Sequence, residues 1–338
     1  MKTLFYPAYG RLEISDRPEP APARDEAVLR VAACGLCGSE LETFKNRSPR
    51  RRPPLIMGHE FCGTVVERGR DVRGFATGEK VVGNSLVCCG QCQRCARGDT
   101  NLCARRQILG MHRDGAFAEF VTVPARGLLS WPQKLPAVAA CLAEPLANGV
   151  HMVNLTRNRK PRSVLVLGAG PIGLMAQQAF QVLLSCRIDM VDLSDQRLEI
   201  ALGLGARRVI NPRAVDPVRV ALESTGGEGF DLVVDAVGSQ VTKKQSLAAT
   251  RPGGAVVWIG LHEDTLAVNS YDITLAEKTI FGTYSATLGE VQQSLDLIAN
   301  GSVDVTSWVR TFPLDHGVEA FQRMLEAKGS DIKAVLIP

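Results

Sequence analysis

The stretch SVLVLGAGPIGLMAQQAF, residues 163–180, decides how this chain folds. The apolar run Val164–Leu167 leads into a glycine cluster and then into an apolar segment rich in helix formers. That order reads as strand, tight turn, helix. Gly168, Gly170 and Gly173 stand in G-x-G-x-x-G order. The first glycine of such a turn permits the bend. The second lets the backbone approach a pyrophosphate, and the third lets helix and strand pack closely. The helix start, at Pro171 and Ile172, offers N–H groups and partial positive charge to the phosphates. A lone glycine motif is weak, and a Gly-rich turn with no ligand is the plain alternative. Here Asp192 follows at the end of CRIDMVDLS (186–194), which reads as the next strand. That context is what a dinucleotide site requires. Asp192 can accept hydrogen bonds from ribose hydroxyls and would repel a 2′-phosphate, so NAD is expected in preference to NADP. Arg197 could reach a phosphate, but it reads more simply as a surface-helix cation.

Working outward, FDLVVDAVG (230–238), GGAVVWIG (253–260) and KTIFGTYS (278–285) read as further strands with helical segments between most of them. Short apolar strands alternating with helices predict an α/β, doubly wound parallel sheet over residues 148–285. Ligands sit at the carboxyl ends of such strands, so Val237 and Gly260 are expected at the nicotinamide pocket. Residues 1–147 differ: AVLRVAACG (27–35), FCGTVVERG (61–69) and EKVVGNS (79–85) are short β-type runs broken by Gly and Pro. They predict an antiparallel, barrel-like domain. Beyond 286, LGEVQQSLDLIANG and GVEAFQRMLEA read as helices and IKAVLIP as a last strand.

Composition bounds the function. A chain of 338 residues suits two domains, with 45% hydrophobic and 22% charged residues. The net charge of +4 is too mild to argue for nucleic acid. The start, MKTLFYPAYGRLEI, is broken by Pro7, Gly10 and Arg11 where a signal peptide needs an apolar core. Without a run of about 20 apolar residues, no membrane span is expected, and the expected compartment is the cytoplasm. Ten cysteines in that compartment point to metal or catalysis rather than disulfides.

Five of them crowd into CCGQCQRCARGDTNLC (88–103). Cys89, Cys92, Cys95 and Cys103 have the spacing C-x2-C-x2-C-x7-C, which lets one short loop close a tetrahedron around zinc. Four thiolates leave no open position, so the site would be structural. An iron–sulfur cluster, which also takes four cysteines, and plain reduced cysteines are the alternatives. Cys88 reads as a bystander.

The cysteine loop, with CGLCGSE (34–40), GHEFCGTV (58–65), DGAFAEF (114–120), AEPLANGVHM (143–152) and VLVLGAGPIGL (164–174), resembles the zinc-dependent medium-chain alcohol dehydrogenases over essentially the whole chain. AEPL leans toward their polyol and threonine dehydrogenase branch. The resemblance implies a GroES-like β-barrel catalytic domain, residues 1–147, carrying the structural zinc lobe 85–105. It further implies a Rossmann NAD-binding domain, 148–285, and a C-terminal segment, 286–338, that returns to the first domain. The substrate cleft would lie between the two domains. It also implies a catalytic zinc on Cys37 and His59, with Glu60 or Glu144 as third ligand and one position open. Cys141, one turn from Glu144, could compete but reads as a buried thiol. Ser39 matches the hydroxyl that takes the substrate proton. The histidine that usually continues this relay is replaced by Glu42, so Glu42 or the cofactor ribose is expected to carry the proton onward. The ion would act as a Lewis acid toward a small-molecule alcohol or carbonyl while NAD carries the hydride.

Two zinc per chain are thus expected. A zinc-free enone reductase would lack the Cys37, His59 and Glu60 set, and a non-catalytic structural relative would carry damaged motifs. The loop KNRSPRRRPP (45–54) gathers Lys45, Arg47, Arg50, Arg51 and Arg52. It reads first as a solvated loop and second as a reader of phosphorylated polyols. Arg113 is a weaker candidate for the cleft rim. The edge TIFGTYS (279–285) could pair across subunits, as in relatives, giving a homodimer or homotetramer.

Overall fold

The computed structural model describes residues 1–326 and 330–338, so the last residue of GVEAFQRMLEA lies outside them. Among the described residues the chain divides into two compact units, Met1–Ala147 with Ala286–Pro338, and Asn148–Ser285.

The second unit is built on one six-stranded sheet. Its order is Arg208–Ile210, Arg187–Val191, Ser163–Leu167, Phe230–Asp235, Thr250–Trp258, Thr279–Gly282, and every pairing is parallel. Val164, Val166, Val234 and Val257 are as buried as Leu165, Leu167, Val233 and Val256. Successive residues point to opposite faces, so both faces of the sheet are covered. This is the doubly wound sheet that the alternating pattern predicts. The strand order reverses direction between Ser163–Leu167 and Phe230–Asp235, the place where such sheets open a crevice for ligands. The fifth strand begins at Thr250, three residues before the apolar run suggests. The register shift between Phe230 and Leu232 absorbs Pro252 and the following glycines.

The first unit is mostly antiparallel. Its larger sheet runs Leu128–Ser130, Lys80–Gly83, Glu60–Arg68, Glu26–Gly35, Lys333–Ile337, Val309–Pro313, and Phe120–Pro124 also pairs with Glu26–Gly35. The pairing of Val309–Pro313 with Lys333–Ile337 is parallel. A three-stranded sheet joins Arg11–Asp16, Lys2–Ala8 and Leu55–Ile56. Between them lies a core that includes Leu4, Leu29, Phe61, Phe117 and Phe321. Helix Gly317–Glu326 buries Gly317, Ala320, Phe321 and Met324, one stripe at helical spacing. The final strand lies beside Glu26–Gly35, with Val335 opposite Gly35. This register delivers Lys333 to the interior near Gly35. No helix among the described residues is long and apolar enough to cross a membrane.

Candidate active site

Helix Gly38–Asn46 starts at Cys37, its N-cap, in extended backbone geometry. Glu40, at the third helical position, reaches back so that its Oε2 accepts the Cys37 N–H at 2.9 Å. The other carboxylate oxygen accepts the Gly58 N–H at 2.8 Å and lies 2.9 Å from His59 Nδ1. One fully buried carboxylate therefore pins both segments that carry the expected ligands. With Nδ1 engaged, Nε2 is the His59 nitrogen left for an ion. The preceding glycine cannot be replaced without movement. Gly58 has φ +97°, and a Cβ there would stand 2.6 Å from the Phe117 nitrogen and 2.9 Å from Cys34 Sγ. The GHE sequence thus reflects a tight turn as well as ligand chemistry.

Cys37, His59 and Glu60 offer ligand atoms that all lie within 4.8 Å of one another. Glu60 opens strand Glu60–Arg68 and is paired with Lys333, both about 1% exposed. Glu144, in helix Ala143–Thr156, is buried but outside that three-residue group, and Ser85 Oγ donates to its Oε1 at 3.5 Å. Burial first, with Glu60 adding repulsion, pushes the Glu144 carboxyl up to about 7. Burial opposes charge on His59, yet Glu40 and Cys37 outweigh it and hold the imidazole's pKa well above its ordinary value. A soft thiol, an imidazole and a carboxylate suit a divalent zinc ion. Cys141 is a fully buried thiol whose Sγ donates to the Val138 carbonyl.

Ser39 is half-buried in the first turn of the helix after Cys37. Glu42 is half-buried, and its Oε2 accepts from Asn46 Nδ2 at 2.6 Å. The basic loop requires a correction. Lys45, Arg47, Arg50 and Arg52 are exposed, but Arg51 is fully buried and so is neither a solvated charge nor an accessible phosphate reader. Arg113, expected at a rim, is paired with Glu26.

In the cysteine lobe the four sulfurs of Cys89, Cys92, Cys95 and Cys103 also lie within 4.8 Å of one another. The Cys92–Cys95, Cys89–Cys95 and Cys92–Cys103 separations are 3.5, 3.9 and 3.9 Å. A tetrahedron with Zn–S of about 2.3 Å has edges near that length. Cys88 stands outside this group, and its carbonyl accepts from the Arg126 guanidinium.

The glycine turn occupies the end of Ser163–Leu167. Gly168 has φ +98°, and a Cβ on Gly173 would overlap the Gly168 carbonyl, whereas one on Gly170 would meet nothing within 4 Å. The open approach is at Gly170, the N-cap of the helix whose first residues are Pro171 and Ile172. Asp192 follows the adjacent strand; its Oδ2 accepts the Ala169 N–H at 2.7 Å and its Oδ1 the Ser194 N–H at 2.9 Å. Each oxygen retains a second lone pair for a ribose hydroxyl. Arg197 is half-buried in the next helix, Asp195–Gly203. Val237 lies against Gly168, and Gly260 packs backbone to backbone on Val237 and Gly238. Asp235 ties these loop ends together: its Oδ1 accepts from Val237 and Gly238 N–H, and its carbonyl from Ile259 and Gly260 N–H.

Three residues of this machinery escape the sequence reading: Glu40, Lys333 and Asp235. Glu40 had a signal, an acidic residue three positions past a helix N-cap. Lys333 had a fainter one, a lone cation in the apolar run IKAVLIP.

Residues 23–133 match the alcohol dehydrogenase GroES-like domain family, and residues 171–300 the zinc-binding dehydrogenase family. The L-threonine 3-dehydrogenase of Pyrococcus abyssi is 33% identical over 351 residues, covering 99% of this chain and 97% of the relative. A zinc-binding dehydrogenase target from Sinorhizobium meliloti, solved bound to NADP, superposes with a TM-score of 0.92 at 30% identity, covering 100% of this chain and 99% of the other. The alcohol dehydrogenase rspB from Escherichia coli, complexed with NADH, gives a TM-score of 0.92 at 26% identity with the same coverage. With the fold, the glycine turn and two clusters of metal-type donors all present, the chain belongs to the zinc-type medium-chain alcohol dehydrogenase family, in its polyol and threonine dehydrogenase branch.

Proposed function

We propose that the chain is a zinc-dependent, NAD-linked dehydrogenase acting on a secondary alcohol, a polyol, sugar or cyclitol derivative. The observation that carries this reading is the convergence of Cys37, His59 and Glu60 within 4.8 Å, with His59 oriented by Glu40. Zinc held there would supply a Lewis acid toward the substrate oxygen, and a nicotinamide cofactor would supply the hydride acceptor. The chain's residues do the rest. Cys37 and His59 hold the ion, with Glu60 or Glu144 as third ligand and the other carboxylate beside it. Ser39 Oγ takes the substrate proton, and Glu42 or the cofactor ribose passes it outward. Gly168, Gly170, Pro171, Ile172 and Gly173 receive the pyrophosphate, Asp192 the ribose, and Val237 and Gly260 the nicotinamide end. Arg197 stays a helix cation. Cys89, Cys92, Cys95 and Cys103 hold a second, structural zinc. The active form is a homodimer or homotetramer formed through the half-buried strand Thr279–Gly282 at the sheet edge.

A panel of polyols, cyclitols, amino-alcohols and their phosphates, read by absorbance of the reduced nicotinamide, tests this reading. A secondary alcohol is expected to reduce NAD in untreated protein and not after chelation and metal depletion. Turnover that survives complete depletion would overturn it. The exposed cations Lys45, Arg47, Arg50 and Arg52 favour a second reading, a phosphorylated polyol, which requires a higher specificity constant for the phosphate than for the free alcohol. Cofactor choice has its own test. Asp192→Asn keeps an acceptor for the Ala169 N–H and removes the charge that repels a 2′-phosphate. It is expected to raise the NADP-to-NAD ratio of kcat/KM by about tenfold or more. An unchanged ratio would remove Asp192 from cofactor selection.

A further inference from the structure

Arg51 is the largest fully buried side chain among the described residues. Its Nε donates to the Gly110 carbonyl at 2.5 Å, and its Nη1 to the Ser39 carbonyl at 2.9 Å and Thr43 Oγ1 at 3.2 Å. Its Nη2 has no partner among the described residues, and no carboxylate there forms an ion pair with it. A buried guanidinium is costly unless its N–H groups are bonded, so these three bonds hold it in one orientation.

The three bonds have a shared consequence. Ser39 and Thr43 belong to the helix that begins at the Cys37 cap. Gly110, with φ +73°, is packed so closely on Gly58 that a Cβ would stand 2.8 Å from the Gly58 nitrogen. Gly58 immediately precedes His59. The guanidinium therefore ties the helix that follows Cys37 to the Gly110 turn, which packs on the residue before His59, and it rises from the loop between the two ligands. Glu40 joins the Cys37 and His59 segments directly; Arg51 joins them through the Gly110 turn.

Resting on the proposed catalytic zinc, we infer that Arg51 is a positioning residue for that metal: its guanidinium holds the helix that follows Cys37 against the Gly110 turn behind Gly58, and so fixes the spacing of Cys37 and His59. Lysine would keep the charge but cannot reproduce the fork, because two separate nitrogens make the bonds.

The test compares wild type, Arg51→Lys and Arg51→Ala as full-length, zinc-loaded proteins. Zinc release to a competing chelator is followed together with kcat and the KM for NAD. The lobe zinc serves as an internal control for folding. In Arg51→Ala, one zinc is expected to leave at least about tenfold faster while the other leaves at the wild-type rate. The kcat should fall with it, the KM for NAD should stay within about twofold, and added guanidinium should slow the release. Arg51→Lys should fall between. If Arg51→Ala does not fold, the same selective release in Arg51→Lys carries the test. Two zincs retained at wild-type rates in both variants would overturn the inference alone. So would accelerated loss of both zincs together, or a change confined to the KM of a phosphorylated substrate. A wild-type protein that binds only the lobe zinc would overturn the underlying reading as well.

Discussion

Replacing His59 with alanine is expected to lower kcat/KM by about 10³-fold or more, since an ion's Lewis-acid contribution is several kcal/mol and each 1.36 kcal/mol is a factor of ten. His59 supplies the one nitrogen of the donor group, and Glu40 already occupies its Nδ1. Loss of the ring leaves two donors for the ion, the Cys37 thiolate and Glu60, and Glu60 is shared with Lys333. It also strips a partner from a fully buried carboxylate, so Glu40 would be left with backbone N–H groups alone. Metal analysis should show one zinc per chain where two are expected in the parent, the remaining ion being that of the lobe. Steady-state rates and zinc content measured on the same preparation decide the matter. A variant that keeps both zincs, or keeps its rate within about tenfold, would remove His59 from the metal centre.

Cys92→Ser is expected to have the largest effect on local stability. The lobe has little to hold it apart from its sulfurs. Its elements are a four-residue helix, Gln93–Ala96, a single turn at Thr100–Leu102, and a two-residue ladder pairing Leu86–Val87 with Gln107–Ile108. Within residues 88–103 only Asn101 and Cys103 are buried. So small a core cannot offset the entropy of ordering the loop, and metal ligation must supply the difference. Structural zinc contributes about 10 kcal/mol or more in small zinc domains at neutral pH, so loss of one thiolate should open the lobe outright. The expected result is loss of one zinc and protease cutting within 88–106 at least about 100-fold faster than in the parent. Acid should act in the same direction. Backbone N–H groups of Gln91 and Cys92 pull the Cys89 thiol down to about 5, but desolvation and the neighbouring Cys92 sulfur push Cys95 up to about 12. Without a cation the four cannot all be thiolates near neutrality, so ligation expels protons and falling pH favours the empty lobe. A Cys92→Ser protein with parental zinc content and cutting rate would show that the lobe is not a metal site.

The parts of this structure that depend on local pattern are legible in the sequence. The run from Val164 to Leu184 carries its strand, turn and helix in one contiguous stretch, because each is set by neighbours within a few residues. The same holds for helix Leu288–Ala299, with its Thr287 cap and Glu290 closing the capping box. What stays hidden is whatever depends on contacts distant in sequence. Lys333 reaches Glu60 only because the last strand lies beside Glu26–Gly35, and no periodicity announces that pairing. Arg51 looks like one more solvated cation among five because charge runs are mostly surface features. Its burial is decided by the Gly110 carbonyl, 59 residues away, and by the Ser39 carbonyl behind it in the chain. The distinction between Glu60 and Glu144 is of the same kind, since it turns on which carboxylate the fold carries to Cys37 and His59.

The most direct measurement is a crystal of the zinc-loaded protein with NAD, with anomalous data collected on either side of the zinc absorption edge. The account predicts two strong peaks per chain, one among the four lobe sulfurs and one bonded to Cys37 Sγ and His59 Nε2. A single peak in the lobe, with the pocket around Glu40 and Lys333 holding no scatterer, would contradict it.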